Sequence, residues 1–124
     1  MLGTLKELDA VLAELAATLY REAPLQHWEQ QRLVARYTPD GGVGSHEYAY
    51  TLQGGTVEHG QSPESGAARA AVRELTRKHW DRSAALGQPR WYQLTLTLDR
   101  NGHYRTEFEY SDAYVTGDIM RPST

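Results

Sequence analysis

The 124 residues include no cysteine, which excludes disulfides, thiol catalysis and any metal site that needs thiolate sulfur. The five histidines are His27, His46, His59, His79 and His103. None stands in a HExxH arrangement, or in an HxH pair with a carboxylate at ligand spacing, so no metal site is expected. His103, beside a hairpin tip, is expected in solvent. His79, on a helical stripe, is expected buried and hydrogen-bonded. No serine lies in a GxSxG turn. Gly41-Gly42-Val43-Gly44 precedes a strand, not a helix. A phosphate there would lack the free N–H groups of a helix start, and the segment reads as a hairpin loop. Glu107 and Glu109 alternate on one strand face. Acid–base catalysis by this pair needs one carboxylate out of water. Their expected neighbours, Thr95 and Gln93 on an uncovered face, leave both ionised. No catalytic residue and no cofactor is expected.

Charge distribution says more. Net charge is −3 and the isoelectric point about 5.9, a poor match for a nucleic-acid binder with its basic face. Residues 99–118 hold five acids (Asp99, Glu107, Glu109, Asp112 and Asp118) against Arg100 and Arg105, with Tyr110 and Tyr114 interleaved. Residues 69–82 are basic instead: Arg69, Arg73, Arg77, Lys78 and Arg82 against Glu74 and Asp81. An acidic, tyrosine-bearing segment can steer toward a basic partner and anchor in it. No apolar run reaches the roughly 18–20 residues of a membrane span. Met1-Leu2-Gly3-Thr4-Leu5-Lys6-Glu7 lacks a basic region followed by an apolar block. No export signal is therefore expected, and the cytoplasm is the expected compartment.

The elements that must position these groups follow from periodicity. Residues 4–22 predict a helix: Leu5, Leu8, Leu12, Leu15 and Leu19 form one stripe, Thr4 and Glu7 have capping-box spacing, and Pro24 ends it. Residues 27–37 predict a strand with Leu33, Ala35 and Tyr37 on one side and an irregularity near Trp28. Pro39-Asp40-Gly41-Gly42 predicts a turn, residues 46–53 a strand, Gly54-Gly55 a tight turn, and residues 56–60 a short strand. A second helix is expected over about 65–85, with Ala68, Val72, Leu75 and His79 or Trp80 inward; Gly87-Gln88-Pro89 ends it.

Residues 91–98 and 103–110 form the clearest strand pair. A two-residue Asn101-Gly102 turn would set Leu98 against Arg105, with core side chains opposite charged ones. A three-residue loop, Arg100-Asn101-Gly102, instead pairs Leu98 with Tyr104 and Leu94 with Phe108, with Gly102 in the left-handed position. This register is preferred. The expected fold class is α+β, ordered α-β-β-β-α-β-β. It is one domain over 1–124, ordered over about 4–112 with a tail at 113–124. Both helices pack on one face of a mainly antiparallel sheet of about five strands, a two-layer sandwich. Pairing is left open only where the second helix intervenes.

The stretch from Leu86-Gly87-Gln88-Pro89 through Trp91-Tyr92-Gln93-Leu94-Thr95-Leu96-Thr97-Leu98, then Asn101-Gly102-His103-Tyr104 and Phe108-Glu109-Tyr110-Ser111-Asp112, resembles the YezG-like family of bacterial immunity proteins. In that family a helix ends in a Gly-x-x-Pro-like turn and Trp opens a Leu/Thr-rich strand. A Gly-bearing hairpin follows, then a run close to Phe-Glu-Tyr-x-Asp. The order of the amino-terminal elements also agrees; the segment after Asp112 is shorter than the terminal helix that family members often carry. The resemblance implies a cytoplasmic, non-enzymatic antitoxin. It would bind the toxic domain of a polymorphic toxin, often a nuclease, by tight stoichiometric binding. No nucleic-acid or membrane partner is expected, a monomer or a 1:1 complex with the toxin is favoured, and the sequence leaves oligomeric state open. Glu107, Glu109, Asp112 and Asp118 would meet basic toxin residues, and Tyr110 and Tyr114 would add contact area. Tyr110 also alternates with Phe108, which argues for the core. Trp91 is an interface anchor on the open face or packs under a loop. Two other classes stay open: an adaptor or chaperone of a secretion substrate, and a small-ligand-binding α+β domain, which a ligand would stabilise against heat.

Overall fold

The computed structural model describes residues 2–85 and 90–110, with side chains from Lys6 onward. Helix α1 spans Leu2–Arg21, strand β1 Trp28–Tyr37, β2 Gly44–Leu52, β3 Val57–His59, helix α2 Gly66–Ala85, β4 Gln93–Asp99 and β5 Tyr104–Glu109. The α+β two-layer arrangement expected from periodicity is the one observed. The sheet order is β3-β2-β1-β4-β5 and every neighbouring pair is antiparallel. That includes β1 with β4, the pairing that the sequence left open. The turn expected at 87–89 lies outside the described residues, as does everything from Ser111 on.

Helix α1 buries Leu12, Leu15 and Leu19 of its predicted stripe, flanked by Val11 and Ala16. It begins two residues earlier than expected. Glu7, expected in a capping box, pairs with Arg82 of α2, tying the two helices together across the surface; the side chains of Thr4 and Leu5 lie outside the described set. Helix α2 starts at a true cap: the Ser65 hydroxyl oxygen accepts from the Ala68 N–H at 3.0 Å. Its Ala68, Val72, Leu75, His79 and Trp80 all point into the core. Beneath the helices, Leu33, Ala35, Leu94, Leu96 and Leu98 present an apolar sheet surface, each at most 1% exposed. The predicted irregularity in β1 is a bulge, with the register against β2 shifting between Trp28 and Gln30.

The β4–β5 hairpin has the three-residue loop that the core pattern demanded. Leu98 faces Tyr104 and Leu94 faces Phe108. Asp99 donates its N–H to the His103 carbonyl at 2.8 Å, and Gly102 takes φ of 92°. Gly41, at the tip of the β1–β2 hairpin, has φ of 72°. A methyl group there would stand 2.9 Å from the Arg77 Nη2 and 3.0 Å from the Trp80 ring. At Gly102 a methyl would meet open space. Gly102→Ala is therefore expected to cost about 1 kcal/mol from backbone strain alone. Gly41→Ala should cost clearly more, because it also forces the hairpin off α2. Urea unfolding of the two variants checks the ranking; equal costs would mean that α2 yields freely.

Candidate protein-binding face

The helices cover one side of the sheet. On the other side, strand alternation and register set side chains in rows. Arg32 lies between Ala49 and Thr97, with Arg105 beyond; Val34 lies between Glu47 and Thr95, with Glu107 beyond; Arg36 lies between Ser45 and Gln93, with Glu109 beyond. Val34, Thr95 and Thr97 make a shallow floor of small side chains. Arginines and carboxylates stand around it.

The third row is hydrogen-bonded across four strands. The Arg36 Nη1 donates to Glu47 Oε2 at 2.6 Å, and its Nε donates to Gln93 Oε1 at 2.9 Å. Gln93 Nε2 donates to Glu109 Oε2 at 3.0 Å, and the Tyr92 hydroxyl donates to Glu109 Oε1 at 2.9 Å. Gln93 thus relays between a cation and an anion, accepting from one and donating to the other. At the opposite end of the face, Gln30 donates to Asp99 at 3.1 Å. The hydrogen bonds of the third row tie its side chains to one another.

Of the residues singled out by sequence, Glu107 and Glu109 are exposed here, with Thr95 and Gln93 opposite as expected. Arg32, Arg36 and Arg105 are interspersed with them, so the face alternates in sign and its acid surplus is confined to the β5 end. Tyr110 is 49% exposed at the end of β5, its ring 6.5 Å from Phe108. Asp112, Tyr114 and Asp118 lie outside the described residues. Arg36, Glu47 and Tyr92 were missed by sequence reasoning: their roles depend on strand neighbours far apart in the chain.

Trp91 is a correction. It is 1% exposed and turned to the helix side, so it cannot anchor a partner on the open face. The cause is that β4 starts at Gln93, and strict alternation does not extend back through Tyr92 to Trp91. The Trp91 Nε1 donates to His79 Nδ1 at 3.1 Å, and its carbonyl accepts from Trp80 Nε1 at 2.9 Å. His79 stacks on Phe108 at 5.1 Å with 12° between the planes. Burial holds the His79 imidazole below its usual range, in keeping with an Nδ1 that must stay unprotonated to accept. His103 is exposed, as expected.

Among the described residues, no group of three or more histidine, aspartate or glutamate side chains could hold a metal ion, and no helix is long and apolar enough to cross a membrane. Compared with protein-family models and with curated proteins, the sequence gives no match.

The His79 arrangement has a pH signature. Its folded pKa lies below the unfolded value of about 6.5, so the unfolded chain takes up the proton first as pH falls. The stabilisation is full above about 6.5 and is lost as the pH drops through the folded value. Trp91→Phe should cost about 1–3 kcal/mol at pH 7 by stripping the acceptor of its donor. The same change should move the His79 titration up toward 6.5 in NMR spectra. Full stability with an unmoved titration would remove the indole–imidazole bond from the account of the core.

Proposed function

We propose that this chain is a cytoplasmic immunity protein that neutralises a cognate polymorphic toxin domain, of the nuclease type, by stoichiometric binding through the open face of its sheet. The observation that carries the reading is the hydrogen-bonded row Glu47–Arg36–Gln93–Glu109–Tyr92 beside the exposed Glu107. A face ordered in advance loses little side-chain entropy on association, which favours tight binding. Alternating charges give register and reject wrong partners. The surplus of carboxylates at β5 suits a toxin surface built to hold phosphates. The resemblance of residues 86–112 to the YezG-like family supports the same reading, and supplies the class of partner. Inhibition here is occlusion of the toxin's working surface by the bound chain.

The test is co-expression with the toxin domain encoded beside the gene, read as survival and as a 1:1 complex on a sizing column. Glu107→Lys is the clean probe, because Glu107 makes no hydrogen bond within the described residues, whereas Glu109 helps to hold Tyr92 and Gln93. The variant should melt within a few degrees of the parent and bind about tenfold or more weakly. Unchanged affinity in Glu107→Lys would move the contact off this face. A stable complex without rescue would identify an adaptor instead.

A further inference from the structure

Helix α2 carries a second feature, on the helix side of the sheet and away from the proposed toxin face. Its basic side stands over the β1–β2 hairpin and borders an open trough of about 710 Å³. Arg73, Arg77 and Lys78 wall it on one side; Gly42, Gly44 and His46 wall it on the other. A smaller hollow of about 350 Å³ continues toward Tyr48 and Arg69, with His46 and Arg73 shared between the two.

The cations here are not equivalent. Arg77 is committed: Nη1 donates to the Gly41 carbonyl at 3.0 Å, Nε pairs with Asp81 at 3.3 Å, and the guanidinium lies over Trp80. Arg82 pairs with Glu7, and Arg69 donates to the Pro63 and Glu64 carbonyls. The side chains of Arg73 and Lys78 are exposed, with no hydrogen-bond or ion-pair partner among the described residues.

His46 is fixed beside them. Its Nε2 is hydrogen-bonded to the Thr76 hydroxyl at 2.8 Å, and the same hydroxyl reaches the Tyr37 hydroxyl at 3.1 Å and the Arg73 carbonyl at 3.0 Å. Burial, reinforced by the Arg73 guanidinium, pushes the His46 pKa down to about 4, so the ring is neutral at pH 7.

We propose that this trough binds a small organic phosphate, its phosphoryl oxygens held by Arg73 and Lys78 beside the imidazole of His46. Two uncommitted cations match a phosphate dianion, an arginine fork and a lysine point charge together. Inorganic phosphate fills only a fraction of the trough, whose volume is that of a small-molecule site. Glu74, also on the wall, is an acceptor for hydroxyls of the organic part. The backbone N–H groups of the glycine loop are already used, Gly42 by the Asp40 carboxylate and Val43 by the Thr38 hydroxyl. Side chains, not a phosphate loop, hold the anion.

The experiment titrates the full chain with ribose 5-phosphate in two-dimensional NMR, with inorganic phosphate and citrate as separate arms. Expected are saturable shifts at His46, Arg73 and Lys78, tighter for ribose 5-phosphate than for either other anion. Bound anion should also raise the His46 titration from about 4, since it stabilises the imidazolium. The Arg73→Gln/Lys78→Gln variant, altered only at exposed positions, should bind at least about tenfold more weakly and fold normally. Without ligand, its His46 should titrate above the parent value but still below the usual range, because burial, the larger cause of the depression, remains while the Arg73 guanidinium is gone. Absence of saturation, or full affinity in the variant, overturns the proposal. So does equal binding of inorganic phosphate, which removes the organic part, or of citrate, which reassigns the trough to the carboxylates of an acidic protein.

Discussion

Everything in this fold hangs on one seam, the pairing of β1 with β4. It joins the amino-terminal three strands to the carboxy-terminal hairpin, with Leu33 against Leu96 and Ala35 against Leu94 on the helix side. All four of those side chains are essentially sealed from water. On the open side the same seam sets Arg36 against Gln93, and without it the polar row has no middle. A slip of one residue would turn leucines outward and arginines inward, so burial of one face fixes the order of the other. The layout of the open face is a by-product of core register.

The helix side shows how polar groups can be buried without penalty. Thr76 is fully enclosed, yet its single hydroxyl serves three partners: a helix carbonyl, a tyrosine and a histidine. Trp91 and His79 satisfy one another, and no enclosed side-chain nitrogen or oxygen among the described residues lacks a partner. Tyr37 links the two systems, with its ring 5.4 Å from Trp80 and 5.7 Å from Trp91. Its hydroxyl reaches Thr76 under α2. These aromatic and hydroxyl contacts fix α2 in rotation about its axis, which plain leucine packing would leave looser. That rotation decides which α2 cations overhang the hairpin and which face away.

Much of the fold was legible in the sequence because local rules sufficed. The leucine stripe of α1, the bulge near Trp28 and the three-residue β4–β5 loop each follow from side-chain period plus one steric demand. The loop is the sharpest case: matching Leu98 with Tyr104 required Gly102 to adopt a left-handed backbone, and it does. The failures are equally physical. Trp91 was set on the wrong face because alternation was carried two residues beyond the start of the strand. The row through Arg36 and Gln93 could not be foreseen, because nothing local says which strand lies beside β1. Glu107 and Glu109 were placed correctly, yet the arginines among them come from strands whose adjacency only the tertiary structure reveals.

The seam also bears on how the chain reaches this structure. Gln30 and Asp99, hydrogen-bonded across it, are 69 residues apart in the chain. The two hairpins it unites close over short loops, and such units form in roughly 1–10 μs. Bringing β1 and β4 together closes a far longer loop, whose entropic cost falls due before the apolar contacts can offset it. Pairing β1 with β4 is therefore the step of this sheet that carries the largest loop-closure cost. Until it happens, both β1 and β4 expose an unpaired apolar edge, the period during which a nascent chain is most open to pairing with a neighbour.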